Sequence, residues 1–495
     1  MKAIIEREFL DNLKSMRFIA LLILSIILFS ANGFIFSKRY NKLEKYYQNR
    51  TSEPPFRPSI QATFYGSNVI FDTNGGPNYP RPSTVATEMY PQPSPFLFVA
   101  EGGDKYRPYG YDLRPGGIIY PLPAKPQNYK IPEFPDIDWS FIITIIFSIY
   151  AILFSYNAIS GEKEDGTLSL VLSNPISRIR LLLTKYIVIL FTLLIPLIIG
   201  FIISLIITLF FVPHFFTVGT ISKLFFIAAS SCIYISLFIL LALSLSSLIY
   251  KSSLGLLVLF SVWIFFFTIP HIAGIIAEKS SNIPSEIEIS QQFIKTREEY
   301  EQKFENMFIN QSSPDFIGGF SSREEATETV KPYSYEAHRS FLKIEKLYGN
   351  ALMNSMKRKR SLSLISPISL LRHIMENFSG TGILSEEHFL NDVERYSQVY
   401  DDYILEKIGE VVIMSREIFI GSWVRYSSGS TGSIQFELYP KEYEGDKSDF
   451  PRFVESKASL GQFFYDSAVD IAGLLFWNIV LAIGAFWAFL RADVR

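Results

Sequence analysis

The sequence predicts a mostly α-helical polytopic membrane protein, and three observations predict it. Its apolar residues are gathered into six runs. A helix rises about 1.5 Å per residue, so roughly 20 apolar residues cross the hydrocarbon, and each run is of that order. Lysine and arginine collect on one side of those runs, as they do in the cytoplasmic loops of membrane proteins. Two long segments of different character lie between the first and second runs and between the fifth and sixth. With 48% hydrophobic residues, 44 Phe and 27 Tyr in 495 positions, it is their clustering that separates this chain from a soluble one. A net charge of −2 gives no case for nucleic acid. The single cysteine, Cys232, sits in an apolar run. It excludes an intramolecular disulfide and a thiolate metal cluster, so any outer domain holds together without covalent staples.

Residues 1–17 form a short basic amphipathic segment. Ile5, Phe9, Leu13 and Met16 recur at helical spacing among Lys2, Arg7, Lys14 and Arg17, which predicts a helix along the inner membrane surface. Residues 18–36 are the first span. The run is longer than a signal-peptide core and further spans follow, so it reads as an uncleaved anchor with its N-terminus inside. Residues 38–138 hold 16 of the 26 prolines and the pairs Gly75-Gly76, Gly102-Gly103 and Gly116-Gly117. That density excludes helices of any length and predicts an ordered extracytoplasmic β/loop domain, with strands at Ile60–Tyr65, Asn68–Asp72 and Pro95–Val99.

Residues 139–158 are the second span and 159–185 a charged inner connection. Residues 186–212 are the third span, in which Pro196 and Gly200 allow a bend. The fourth, 224–250, carries Ser230, Ser231, Ser236, Ser244, Ser246 and Ser247, small residues that let helices approach closely or line a polar path. The fifth, 254–277, contains Pro270-His271 near its outer edge, where a lone histidine is an interfacial residue or a ligand.

Residues 278–465 form a second outer region with helical patterning. Ile289, Phe293, Glu299, Tyr300 and Phe304 share one helix, Tyr335–Met356 a second and Glu386–Ile408 a third. Lys357-Arg358-Lys359-Arg360 is a compact basic cluster, either a solvated helix end or an anionic-lipid contact. Ser366-Pro367 opens an amphipathic piece to Phe378, followed by Ser379-Gly380-Thr381-Gly382, and Trp423–Leu438 alternates as a hairpin does. Residues 466–490 are the sixth span. Asp466 and Asp470 at its outer mouth are wet interfacial residues or a cation or substrate site. Residues 491–495 return inside. Inner segments hold Lys2, Arg7, Lys14, Arg17, Lys163, Arg178, Arg180, Lys185, Lys251, Arg491 and Arg495, while the outer turn Pro213–Ser222 holds no Lys or Arg.

The chain is organised around Ser160–Lys185, the charged connection between spans two and three. Glu162, Glu164 and Asp165 precede Gly166-Thr167-Leu168, and acidic residues suit a helix's first turn, where free N–H groups carry partial positive charge. Leu168, Leu170, Val171 and Leu172 make a short apolar helix, which Asn174-Pro175 ends. Ser177 is placed to cap the helix that follows. The product is a short helix across the inner membrane face, joined rigidly to two spans and able to transmit force from a cytoplasmic partner.

Glu162, Glu164, Gly166, Thr167, Leu168, Pro175, Ser177, Arg178 and Lys185 together resemble the coupling region of type-2 ATP-binding cassette exporter permeases. The resemblance covers about 25 residues. It implies the six-helix fold of those permeases, two ATPase subunits gripping Glu162–Leu172, and a second permease copy or paralogue. It also implies that the N-terminal helix, through Glu6, Phe9 and Leu13, helps to seat the ATPase. Ser-Pro, an apolar helix, then x-Gly-Thr-x is similar to the outer segment of one branch of the family, which often has Asp where Gly382 stands.

The sequence contains no G-x-x-x-x-G-K-[ST] phosphate loop, no H-E-x-x-H and no G-x-S-x-G. ATP and magnesium are therefore expected on a partner chain, with no cofactor, catalytic residue or metal here. His214, His271, His338, His373 and His388 are scattered. The expected function is that of an exporter's membrane subunit in a bacterial inner membrane, both termini cytoplasmic, with membrane lipids and an extracytoplasmic partner as further contacts. The alternative is a mechanotransmitter that drives an envelope machine with nothing crossing the membrane.

Overall fold

The computed structural model describes residues 2–52, 87–102, 111–114, 117–119, 137–173, 177–309, 323–407, 451–456 and 458–491. Among them the chain is mostly helical, and six helices are long and apolar enough to cross a membrane. Helix α1 is Lys2–Lys14 and α2 is Met16–Ser52. The second span comprises α3 (Trp139–Phe141), a π-helical segment Ile142–Phe147, and α4 (Ser148–Ser155). Below it lie α5 (Ser160–Glu164) and α6 (Thr167–Ser173). The remaining spans are α7 (Arg178–Phe211), α8 (Val218–Leu248), α9 (Ser252–Ser280) and α14 (Leu460–Arg491). On the distal side, away from α5 and α6, stand α10 (Glu286–Ile309), α11 (Arg323–Ser363), α12 (Pro367–Ser379) and α13 (Ile383–Lys407).

Helix α2 corrects one expectation. Residues 38–52, read as the start of an irregular region, continue the first span as helix. Every proline of that region lies at position 54 or beyond, so nothing breaks the helix before then. The α2–α7 contact is close because α7 carries Gly200, where a Cβ would overlap the Phe29 ring and crowd Ser25 Oγ. Ser25 Oγ in turn donates to the Pro196 carbonyl at 2.8 Å. Helix α7 runs unbroken through Pro196.

The strand expected at Pro95–Val99 is instead a turn. Phe96, Leu97, Phe98, Val99 and Ala100 are all buried in the main core. Its carbonyls are satisfied by the bundle: Phe98 O accepts from Trp139 N at 3.0 Å and Asn32 Nδ2 at 2.9 Å, and Val99 O from Ser140 N at 2.9 Å. A short apolar run reads alike as strand or buried turn, and here tertiary partners decided between them. Phe98 and Phe201 pack around Trp139, the latter stacked with its centroid 4.1 Å away. The expected strands at 60–65 and 68–72 and the hairpin at 423–438 lie outside the described residues.

A three-stranded antiparallel sheet does form, in the order β1 (Thr87–Met89), β2 (Tyr111–Arg114), β3 (Gly117–Ile119), with Thr87 opposite Leu113 and Leu113 opposite Ile118. Met89, Tyr111 and Leu113 share a second core with Phe389, Val393, Tyr396 and Tyr400 of α13. The two outer segments, separate in the sequence, therefore pack on each other. Helix α12 ends in a Schellman motif: Gly380 takes φ +71°, its N–H bonds Asn377 O, and Thr381 N bonds Glu376 O. Its apolar residues, among them Leu370, Leu371, Ile374 and Phe378, belong to the main core.

The basic cluster lies within α11 and is solvated only in part, at Arg358 and Lys359. Lys357 pairs with Glu387 at 2.6 Å, Arg358 donates to Ser280 O at 2.6 Å, and Arg360 pairs with Asp470 of α14. Asp470 is 0% exposed, with His373 Nδ1 3.1 Å away, and Asp466 faces His388 Nε2 at 3.1 Å. These acids are thus neither wet interfacial residues nor an open cation site. They pin the outer helices to the last span, because a carboxylate leaves water only when paired.

Candidate coupling site

The Ser160–Lys185 connection folds as two short helices. Glu162 and Glu164 lie in α5, not in the first turn of the apolar helix as the sequence suggested. Gly166 explains the difference. Its φ of +68° lies in the left-handed region, where a side chain is strained, so the chain breaks after Asp165 and starts again at Thr167. Thr167 donates across the break to Glu162 O at 3.3 Å.

Glu162 and Glu164 are both used within the chain. Glu162 Oε1 lies 2.6 Å from Lys185 Nζ, and the same ammonium lies 3.2 Å from Glu8 of α1. Lys185 is only 7% exposed, so these pairs are screened less than surface ones. Glu164 accepts from Ser252 N at 3.1 Å and Ser252 Oγ at 2.7 Å, at the start of α9. Ser246 Oγ of α8 accepts from Ile159 N at 3.1 Å and Ser160 N at 2.9 Å, and Lys163 donates to Ser247 O. Arg178 donates to Phe489 O at 3.2 Å and Leu490 O at 2.9 Å, among the last carbonyls of α14, which lack partners within their helix. Arg17, at the start of α2, donates to Leu153 O at 2.8 Å and sits over the Tyr156 ring.

The connection is therefore joined to more than its two flanking spans. It is tied to α1, to the α8–α9 turn and to the end of α14. Lys185, Glu8, Ser246 and Ser252 were not among the expected site residues, except that Lys185 belonged to the resembling motif. The serines of the fourth span were the available signal. Several of them serve as interhelical partners: besides Ser246, Ser236 donates to Asn478 of α14 at 2.8 Å and shares a hydrogen bond with Tyr186 of α7.

Not every expected residue acts as the sequence suggested. Ser177 stands at the N-cap position with extended backbone, yet its side chain makes no capping bond. Pro175 lies outside the described residues. Leu168 is buried, anchoring α6 to the bundle, whereas Leu170 is 70% exposed. On α1, Phe9 and Leu13 are half-buried, Glu6 is exposed, and Leu10 is the large apolar residue that faces out. Leu10 and Glu6 on α1, and Leu170 and Ser169 on α6, are thus exposed on helices held against the bundle, with Asp165 exposed at the end of α5.

A family model described as ABC-2 family transporter protein matches residues 2–494. No curated protein matches the chain.

Proposed function

Because the chain belongs to the ABC-2 transporter family and is a multi-pass membrane subunit of the permease kind, we propose that it couples ATP hydrolysis by two separate ATPase subunits to the movement of a substrate out of the cytoplasm or the inner membrane. ATP and magnesium bind to those partners, since this chain carries no phosphate loop. The membrane is a bacterial inner membrane, and both termini, with α5 and α6, face the cytoplasm, as the distribution of basic residues supports. A second permease, identical or a paralogue, completes the assembly.

The observation that carries the reading is the exposed Leu170 on α6, in a connection bonded to α8 and α9 through α5, to α1 through Lys185 and to α14 through Arg178. A push on α6 is delivered at once to the proximal ends of several spans. A lone loop between two spans would deliver it to two. The ATPases grip α6 and the outward face of α1, and their closure on ATP drives the bundle between arrangements.

One observation favours the mechanotransmitter as a second reading. The Phe96–Ala100 turn is part of the bundle's core, and its own segment packs on α13. A rearrangement of the spans is thus carried into the distal body. Reconstitution with the ATPase partners separates the two. Substrate-stimulated ATP hydrolysis with accumulation across a vesicle membrane supports transport. Nucleotide-dependent protease sensitivity of the distal body, with no accumulation of any compound co-purifying with the complex, supports transmission. ATP hydrolysis unaffected by Leu170→Asp overturns the coupling assignment in both.

A further inference from the structure

Helix α9 supplies a ruler for the membrane. It begins at Ser252, and Gly274 lies 22 residues further on, about 33 Å at 1.5 Å per residue. The hydrocarbon core is about 30 Å thick, so Gly274 marks its distal boundary. At that level α11 crosses α9. The Lys359 stem runs over Gly274, with Cε 3.6 Å and Nζ 4.0 Å from where a Cβ would sit. Arg358 donates to Ser280 O at the end of α9. Beyond this crossing α11 continues into the apolar layer, and Ser366 Oγ bonds Phe266 O at 2.7 Å, eight residues deeper than Gly274.

Two features of this crossing stand apart from the ATPase docking face. The first is charge. Among the described residues Arg358, Lys359 and Lys279 are exposed and make no ion pair, while their neighbours Lys357 and Arg360 are both paired with carboxylates. Glu278 is the adjacent acid, and the balance stays basic. The second is a column of rings. His271, Phe267 and Trp263 lie three, seven and eleven residues before Gly274, on the same helical face. Trp263 and Phe267 stack at 5.6 Å, and Phe267 meets His271 at 5.3 Å. Leu362 of α11 and Ile365 just after it add exposed apolar surface at this depth.

We propose that this crossing binds an anionic phospholipid of the distal leaflet, with its headgroup phosphate on Lys359 and Arg358 and an acyl chain along the Trp263–Phe267–His271 column. The headgroup needs a cation without a protein partner at the boundary, and Lys359 is one. The chain needs an apolar path descending from that cation, and the ring column is one. A free phosphate would use only the first. The site rests on α9 spanning the membrane and not on ATP coupling, so either can fail without the other.

The test uses the full-length protein in mild detergent, with lipid binding counted by native mass spectrometry. Phosphatidylglycerol is expected to bind more tightly than phosphatidylcholine. Lys359→Ala is expected to weaken phosphatidylglycerol about fivefold, the effect of about one basic residue at a charged surface. Lys359→Arg is expected to retain binding, and Lys343→Ala, exposed further up α11, to leave it unchanged. If Lys359→Ala lowers the lipid-free melting temperature, Lys359→Gln, which keeps the stem, replaces it. Equal affinity for the two lipids, or wild-type affinity in both uncharged variants, overturns the proposal. So does full displacement of phosphatidylglycerol by millimolar inorganic phosphate, which leaves an anion site in place of a lipid site.

Discussion

Glu164 accepts two hydrogen bonds from Ser252, one from its N–H at 3.1 Å and one from its hydroxyl at 2.7 Å. A helix's first N–H groups have no partner of their own in the helix. Here one of them is answered by a carboxylate 88 residues earlier in the chain. The fifth span thus begins on the turn beneath the second, held to it by both bonds. Losing a helix cap of this kind costs about 1 kcal/mol. Glu164→Ala is expected to speed amide hydrogen exchange at Ser252–Gly255 while leaving the distal helices protected. Unchanged exchange there would separate the two spans mechanically.

Leu170 tests the docking face itself. It is 70% exposed, so a polar replacement has little packing to lose, and surface changes shift stability by about 0.5 kcal/mol or less. Leu170→Asp is expected to fold and melt as the native chain does, yet to lose ATPase co-purification about tenfold. Leu168→Asp makes the contrast, since burying a charge there should unfold α6. If both variants bind the ATPase normally, the contact face lies elsewhere.

Lys185 stands between two acids, Glu162 and Glu8, and is 7% exposed. Removing the cation leaves both carboxylates facing each other without compensation. A fully buried broken pair costs about 3–5 kcal/mol, and the partial exposure of the acids brings the expected loss for Lys185→Met to about 1–3 kcal/mol. Lys185→Met with Glu162→Gln should recover part of it, because the remaining repulsion falls. A double-mutant cycle on melting temperatures reads the coupling. Additive losses would mean that α1 and α5 are joined by packing alone.

Asp138 gives a pH dependence. It caps α3 by accepting from Phe141 N at 2.7 Å and also accepts from Glu101 N at 3.0 Å. Burial pushes its carboxyl up to about 6 from 3.8, more than those hydrogen bonds and Arg372 lower it. In the folded chain the proton therefore stays on until about pH 6, whereas the unfolded chain releases it near 3.8. Between those values the folded state holds more protons, so stability falls as pH rises through that window. The shift corresponds to about 3 kcal/mol at most. Asp138→Asn, which cannot titrate, should flatten the melting temperature between pH 4 and 6 relative to the native chain. A parallel decline in both proteins assigns the slope to another group.

How far the sequence revealed all this depends on the distance over which each residue acts. The spans were legible because apolar length is a local property, and so was the end of the amphipathic piece near Phe378, though the left-handed Gly380 that closes it needed its φ. Gly166 was noticed as part of a motif, but the break it causes needed its φ. The ion pairs were not legible. Lys185 and Glu8 are 177 positions apart, Arg360 and Asp470 110, and nothing local distinguishes a paired aspartate from a wet one. The Phe96–Ala100 run has a strand's composition. Its partners, Asn32 and Trp139, made it a turn.

The π-helical segment Ile142–Phe147 had no local signal, containing neither proline nor glycine. A π turn widens the helix and leaves carbonyls off their usual register, which in an apolar layer requires outside donors. A neighbouring span supplies one: Tyr234 of α8 donates to Thr144 O at 2.9 Å, while Trp263 of α9 donates to the hydroxyl of Ser148, just past the segment, at 2.8 Å. Ser148 in turn bonds Thr144 O at 2.6 Å, so the clamp closes on itself. Such segments recur at functional sites, and this one lies in the distal part of the second span, with α4 between it and α5. We expect Tyr234→Phe to cost only about 0.6–1.5 kcal/mol in stability, the range for one interhelical hydrogen bond in a membrane. Its larger effect should be on coupling. With the clamp loosened, α4 can shift while α3, the three residues distal to the π turn, stays in place, and ATP hydrolysis should continue with the distal body no longer responding. Limited proteolysis of that body with and without nucleotide reads the outcome. A full nucleotide response in Tyr234→Phe would make the π turn a fixed feature of the span and leave force transmission to α7 and α9.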